Sequence, residues 1–248
     1  MTDSIVTYES IIAQIVQNVN VYVIIYIMSS ILMLDASDDI KIVGQLGSSL
    51  AKTKRAGLRI ARGFIVPINK RVGYGMSNEI LREFDKLAID YCILRASSPT
   101  NSNNEIIAPV ERKNLVNAVT YMQNNAERRW TPSALIVQEY LDGELCGSVH
   151  SHNPYTGARN EILIETKLWA NNSILGNDDE TEMILVDKKN GTISLESNED
   201  ELYLEAEQVQ ELYRAIRILE DKLGTPVSLD WGFVNGVLYI LRTKPLRP

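Results

Sequence analysis

The feature that most constrains the fold is the closing stretch from Ser228 to Pro248. Two apolar-rich runs, Ser228-Leu229-Asp230-Trp231-Gly232-Phe233-Val234 and Val237-Leu238-Tyr239-Ile240-Leu241-Arg242-Thr243-Lys244-Pro245, flank Asn235-Gly236. Both turn residues tolerate positive φ, so the pattern reads as a β-hairpin. Asp230 lies on the first strand, and Arg242 and Lys244 lie on the second. A strict two-residue turn pairs Asp230 with Leu241 and puts Arg242 on the opposite face. A three-residue loop or a bulge brings Asp230 and Arg242 to one face, leaving Leu229, Trp231, Phe233, Tyr239 and Leu241 for the other. The second register is the expected one. A carboxylate beside a guanidinium and an ammonium suits a metal-bound polyanion; an ordinary ion-paired ribbon accounts for the same residues.

The chain has 248 residues and a net charge of −7, room for one large domain or two small lobes sharing a site. The acidic balance argues against a general nucleic-acid binder. Cys92 and Cys146 are far apart, with no clustered Cys/His pattern for zinc, so two core thiols in a reducing, cytoplasmic setting are the natural reading. Residues 1–34 form an apolar N-terminal extension in which Ile11 to Leu34 carries no charge. Gln14, Gln17, Asn18 and Asn20 dilute it, and a membrane span is not the expected reading. A packed helix or strand and a leader or anchor both remain open.

Along the chain, Gly44 to Gly57 reads as a short helix capped by Gly and Ser at its entry. Gly63–Pro67 reads as a strand. A helix opens at Ser77 with Ile80, Leu81, Phe84 and Leu87 on one face. Tyr91–Arg95 is a buried-type strand running into the polar, flexible Ala96–Asn104. A helix covers about Glu111 to Arg128. Strands follow at Ala134–Leu141, Leu145–Ser151 and Glu161–Glu165, and Asn190-Gly191 marks a second hairpin between Met183–Val186 and Thr192-Ile193. Val209, Leu212, Tyr213, Ile216 and Leu219 set a helix from Glu205 to Leu223, stopped by Gly224 and Pro226. Helices and strands mixed in this way give the α+β class.

Several stretches resemble, in order, the ATP-binding domain of phosphoenolpyruvate synthase and pyruvate phosphate dikinase. Ser228-Leu-Asp230-Trp231 and Leu238-Tyr-Ile-Leu-Arg242-Thr-Lys244-Pro245 are similar to that family's Asp-Ile-Glu-Trp and Leu-Tyr-Leu-Leu-Gln-x-Arg-Pro. Val43-Gly44-Gln-Leu46-Gly-Ser-Ser-Leu-Ala resembles Val-Gly-Gly-Lys-Gly-Ala-Asn-Leu-Ala. Leu94-Arg95-Ala-Ser-Ser98 resembles Val-Arg-Ser-Ser-Ala, and Cys146-Gly147 to Gly157 resembles Ser-Gly-Val-Leu-Phe-Thr-Arg-Asn-Pro-x-Thr-Gly. The resemblance covers about Asp35 to Pro248 and implies an ATP-grasp fold: two α+β lobes, about 35–110 and 111–248, clamping a nucleotide.

By the same resemblance, Arg95 is the triphosphate-binding arginine, with Arg242 beside it in a catalytic role. Gln138, Glu139, Tyr140 and Leu141 form the lobe-linking strand that reads the base, and Glu144 is placed for the ribose. Asp230 is the metal ligand for Mg²⁺, and Lys244 completes the phosphate site. Glu165 is a further acid facing the cleft, and Trp169 stands where the family's Trp-Gly-Leu-Gly-Glu begins. Departures bear on activity. Ser228 replaces an Asp, Leu46 replaces a phosphate-contacting Lys, and Pro99 to Asn104 is shorter and more neutral than the family's loop. A weakened metal site follows. Two functions stay open: ATP-dependent phosphotransfer to a separately encoded, phosphohistidine-type acceptor, and a catalytically degenerate nucleotide- or partner-binding regulator. His150 and His152 have the same-face spacing of a metal pair, a minor alternative.

Overall fold

The computed structural model describes residues 31–100, 105–169, 181–195 and 203–246. The N-terminal extension before Ile31 therefore lies outside the described residues, as does the tail of the polar stretch after Thr100.

The described chain forms two antiparallel sheets. In the first, of order β1-β2-β5-β3-β4, the strands are β1 (Leu32–Met33), β2 (Gly63–Val66), β3 (Tyr91–Ser97), β4 (Ile106–Glu111) and β5 (Ala134–Glu139). The second, of order β11-β10-β6-β7-β8-β9, holds β6 (Leu145–His150), β7 (Glu161–Leu168), β8 (Glu182–Asp187), β9 (Ile193–Leu195), β10 (Val227–Val234) and β11 (Val237–Pro245). The helices are α1 (Ile40–Arg55), α2 (Tyr74–Leu87), α3 (Arg112–Arg128) and α4 (Ala206–Leu223). The first sheet is complete at Glu139 and the second starts at Leu145. The link between the two sheets runs from Tyr140 to Glu144.

Local chemistry explains most boundaries. The α4 entry is a capping box between Glu205 and Gln208, and Gly224 closes it in the left-handed region at φ 64°. Helix α1 starts earlier than the sequence indicated. Asp39 caps it by accepting from the Lys41 N–H, and the expected start at Gly44 is instead a kink with φ 69° and ψ 179°. Gly44 is obligatory there, because a Cβ would lie 1.9 Å from the Ser97 carbonyl oxygen. β4 was not foreseen. Ile106 and Ile107 pair with β3, and the register shifts between Cys92 and Leu94.

Two cores hold the layers. Phe64, Val66, Ile80, Phe84, Leu94, Leu115, Val119, Met122 and Val137 pack α2 and α3 against one face of the first sheet. The other face, with Ile65 and Ile136, packs on Val43, Leu46 and Leu50 of α1, and the same core continues through Leu229, Trp231 and Phe233 to Leu212, Ile216 and Leu219 of α4. α1 also ties the sheets together. The Thr243 N–H donates to Ser49 Oγ at 3.0 Å, and the Thr53 and Thr243 hydroxyls lie 2.9 Å apart.

The closing hairpin turns at Asn235 and Gly236, both at positive φ (51° and 71°). Pairing runs from Val234–Val237 to Trp231–Ile240, then shifts by one residue, so that Asp230 pairs with Arg242 and Ser228 with Lys244. The expected bulge is present, and Asp230 and Arg242 share a face. The apolar partition expected for β11 is corrected. Leu238 and Ile240, not Tyr239 and Leu241, join Trp231 in the core. The tight turn keeps pairing regular up to Ile240, and the extra residue, Leu241, enters only beyond it.

Candidate functional site

Cross-strand register assembles a polar row on one face of the second sheet. Arg242 pairs with Asp230, Asp230 with Ser148, and Ser148 with Glu165. One step along the strands, Lys244, Ser228 and His150 form a parallel row. Side chains two residues apart point the same way, so both rows face one space.

Arg95 reaches this face from β3 of the other sheet. Its Nη1 donates to the Leu241 carbonyl at 2.8 Å and to Gln138 Oε1 at 3.3 Å. The acceptor on β11 is therefore the bulge residue itself. Burial pushes the Arg95 guanidinium down to about 10, the nearby Arg242 charge adds to the shift, and Asp230 opposes it. It stays a cation at neutral pH. Asp230 is salt-bridged to Lys244 Nζ at 3.3 Å.

Two cavities border these residues, one lined by Arg95 and the other by Asp230. The first, about 220 Å³, is lined by Arg95, Gln138, Glu139, Tyr140, Leu141 and Trp169, with Ala61, Ile93, Ile240 and Leu241 among its apolar walls. Five of the residues expected to hold a nucleotide thus meet in one place. Their individual chemistry is more specific than expected. The Glu139 carboxylate is gripped by both Nε and Nη2 of Arg62, at 2.9 and 2.7 Å. The Glu139 and Tyr140 N–H groups donate to Arg62 O and Tyr91 O. Those two amides are already committed. Glu144 stands apart from the cavity lining: it is exposed, and its Oε1 accepts the Asn235 N–H at 2.9 Å, bracing the hairpin turn.

The second cavity, about 230 Å³, is lined by Gly147, Ser148, Glu165, Thr166, Lys167, Thr181 and Asp230. Glu165 is its most engaged group. Oε2 accepts from Ser148 Oγ and lies 3.1 Å from His150 Nε2, and Oε1 accepts from Tyr155 OH at 2.7 Å. The His150 hydrogen bond is the largest cause of a carboxyl lowered to about 2; burial opposes it, and Ser148 and Tyr155 add to it. Sequence reasoning anticipated an acid here but missed Ser148 and Tyr155. The signal was available in Ser148 and His150, two polar residues at even spacing where the resembling strand carries Val and Phe.

The metal expected at Asp230 finds a poor donor set. Ser228 supplies only a hydroxyl and is 4% exposed, Asp230 is bound to a lysine, and both Glu165 oxygens already accept from protein donors. Among the described residues, no three His, Cys, Asp or Glu side chains are grouped to hold an ion. The described residues make a poor fit to a divalent-metal centre. His150 is committed to Ser148 and Glu165, and His152 lies beyond the end of β6, where strand parity no longer sets its face, so the spacing of the two histidines makes no metal pair. Leu46 is a core residue; the segment around it docks on β3, with Gln45 N–H on Ser98 O and Gly47 N–H on Ser97 Oγ.

Two antiparallel sheets packed on α2, α3 and α4, tied together by α1 and with a polar cleft crossed by Arg95, define an ATP-grasp fold. Solved structures of that fold agree. The chain superposes on the ADP complex of PurK, N5-carboxyaminoimidazole ribonucleotide synthetase, at TM-score 0.52, 12% identity, 84% of this chain and 45% of that one. Biotin carboxylase from Campylobacter jejuni gives TM-score 0.53, 9% identity, and 86% and 42% of the two chains. The biotin carboxylase domain of Hydrogenobacter thermophilus 2-oxoglutarate carboxylase gives 0.51, 14%, 84% and 40%. No family model matches the chain. Among curated proteins, an uncharacterized phosphotransferase of Bacillus subtilis (strain 168), YvkC, is 21% identical over 291 aligned positions, covering 88% of this chain. The chain spans 35% of that relative's length.

Among the described residues, no helix is long and apolar enough to cross a membrane.

Proposed function

We propose that the chain binds a nucleoside triphosphate, ATP by resemblance, as a nucleotide-binding domain with weakened metal chemistry. The base occupies the cavity along Gln138 to Leu141, and the phosphates run toward Arg95, Arg242 and Lys244. The observation that carries this reading is the position of Arg95. It extends from the edge of the base cavity to the bulge of β11, beside Asp230 and Arg242, so one guanidinium joins the two sheets where a polyphosphate would cross between them. A planar guanidinium grips phosphate oxygens through paired bonds. Asp230 is paired with Lys244, and the ionised Glu165 already accepts from protein donors on both oxygens, so neither is free for Mg²⁺ and phosphate charge meets cations with little help from the metal. Without the lysine that Leu46 displaces, and without a metal centre, electrostatic support for a transferring phosphoryl group is small. Regulation or scaffolding through nucleotide binding follows.

Calorimetric titration tests this directly. ATP binds in EDTA within about tenfold of its affinity in Mg²⁺, and Arg95→Ala weakens it by a factor of ten or more. No heat at millimolar nucleotide sinks the reading.

A second reading has its own support. The Bacillus subtilis relative is described as a phosphotransferase, and the ordered motifs resemble phosphoenolpyruvate synthase. Phosphate transfer to a separately encoded, phosphohistidine-type acceptor is therefore the alternative. Its test is ATP consumption in the presence of such an acceptor, lost in Arg95→Ala.

A further inference from the structure

The cavity beside Asp230 holds a hydroxyl that nucleotide binding leaves without a role. Ser148 lines it together with Glu165, Lys167 and Asp230. The Ser148 hydroxyl donates to Glu165 Oε2, and its Oγ lies 3.0 Å from His150 Nε2. Glu165 Oε2 is itself 3.1 Å from His150 Nε2, so hydroxyl, carboxylate and imidazole close a triangle. Tyr155 donates to the other carboxylate oxygen at 2.7 Å, leaving Oε2 for Ser148 and His150. A hydroxyl is a weak nucleophile until a neighbouring base takes its proton. Thr166 and Thr181 also line the cavity, but among the described residues neither donates to a carboxylate, and Thr166 Oγ1 is buried without a partner.

The arrangement is not that of a hydrolytic triad. Serine and acid meet at the same imidazole nitrogen, and His150 Nδ1 is buried with no partner among the described residues. A triad places the acid on the nitrogen away from the serine. Here the carboxylate takes the hydroxyl proton directly, which is the role an acidic side chain plays in phosphoryl transfer to a hydroxyl. Strand register puts that hydroxyl near the cations. Arg242, Asp230, Ser148 and Glu165 form one row, with two strand spacings, about 10 Å, between the Arg242 and Ser148 backbones. An arginine side chain and a phosphoryl group together bridge that distance. Asp230, which stands between them, is paired with Lys244.

We infer that Ser148 accepts the terminal phosphoryl group of the bound nucleoside triphosphate, so that the chain phosphorylates itself at this position. The inference rests on the nucleotide-binding reading above and goes beyond it by naming an acceptor within the chain. The Ser148 Oγ–phosphorus bond forms as the bond from the γ-phosphorus to the bridging oxygen breaks. The bridging oxygen keeps the electron pair and leaves as nucleoside diphosphate. The hydroxyl proton passes to Glu165 Oε2 and on to water, and nothing is oxidised or reduced. Electrostatic support for the transfer is small, so the reaction is slow. An acceptor held in the same chain needs no encounter and no second turnover.

The test incubates the full chain with ATP labelled on its γ-phosphate, in the presence of Mg²⁺, and maps the product by mass spectrometry. Label approaches one phosphoryl group per chain and lies on Ser148. Its rate is first order and does not change with protein concentration. ATP labelled on the α-phosphate transfers nothing, and Ser148→Ala loses the label. Circular dichroism confirms that the variant folds; if it does not, the site mapped in wild-type protein decides. ATP that binds by calorimetry but transfers no phosphoryl group overturns the inference and leaves nucleotide binding standing. So does label on another residue, label undiminished in a folded Ser148→Ala, or a rate proportional to protein concentration. A chain that binds no nucleotide removes the nucleotide-binding reading and this inference with it, so the two failures are distinct.

Discussion

Protonating Glu165 should remove a defined part of the stability. Its carboxyl is lowered from an ordinary 4.5 to about 2, and its side chain is only 19% exposed, so solvent screening discounts the effect little. A lowered folded-state value means that the ionised form stabilises the fold. The contribution is complete above the unfolded value of 4.5 and is lost as pH falls toward 2. At pH 7 it amounts to about 3 kcal/mol, and by pH 3 about half of that remains. Glu165→Gln deletes the charge while keeping the shape. Its amide NH₂ would also face the Ser148, His150 or Tyr155 donors. Urea unfolding followed by tryptophan fluorescence, at pH 7, 5, 4 and 3, should show wild type more stable than Glu165→Gln by about 2–3 kcal/mol at pH 7, with the gap narrowing below pH 4.5. A gap that stays constant to within about 0.5 kcal/mol from pH 7 to pH 3 would refute the assignment, because a merely steric loss does not titrate.

Other outcomes follow from single contacts. Gly44→Ala combines a φ of 69° with a Cβ 1.9 Å from the Ser97 carbonyl oxygen; it should cost about 2–4 kcal/mol in a urea titration, and a cost under about 0.5 kcal/mol would contradict the kink. Arg62→Ala frees the Glu139 carboxylate at the cavity; because Arg62 is more than half exposed, melting should change by no more than a degree or two while nucleotide affinity changes measurably by calorimetry. Cys92 and Cys146 are both buried, with Cys92 pushed up to about 12 by burial; a thiol reagent at pH 8 should label them only at the rate of unfolding, and rapid labelling of the native protein would show that their cover opens.

How much of this was legible in the sequence depended on the range of the interaction involved. The periodic α4 helix, the Gly63–Val66 strand and the Asn235-Gly236 turn follow from local patterns, and each appears where expected. β4 did not, because Ile106-Ile107-Ala108-Pro109 has no alternation to mark it, and it becomes a strand only through pairing with β3. The cluster around Glu165 was legible in part. Ser148 and His150 share a face by strand parity, but Tyr155 arrives from a loop, where spacing carries no information about approach. The same holds for Glu139. Its place on the linking strand was evident, whereas its capture by Arg62 depends on β2 lying beside β5.

The hairpin shows why a parity argument succeeded where propensity could not. A tight Asn-Gly turn sets Trp231 against Ile240, and burial of both requires that register. Continued without interruption, it would send Arg242 to the face away from Asp230 and drive a guanidinium toward the Trp231 core. Desolvating an unpaired cation there costs several kcal/mol. One surplus residue on β11 resolves both demands, so the bulge is required by the two faces together and not by any local preference of Leu241. The surplus residue also leaves a carbonyl outside the regular ladder, and Arg95 takes it at 2.8 Å. The irregularity that rescues the core register thereby anchors the cation proposed to hold phosphate. Deleting Leu241 would test the coupling. Without the surplus residue, Trp231 still faces Ile240 and Asp230 still faces Arg242 in regular pairing, and Arg95 loses its acceptor. Nucleotide affinity should then fall more than stability does, and a deletion that lowers both in proportion would mean that the bulge serves the core alone.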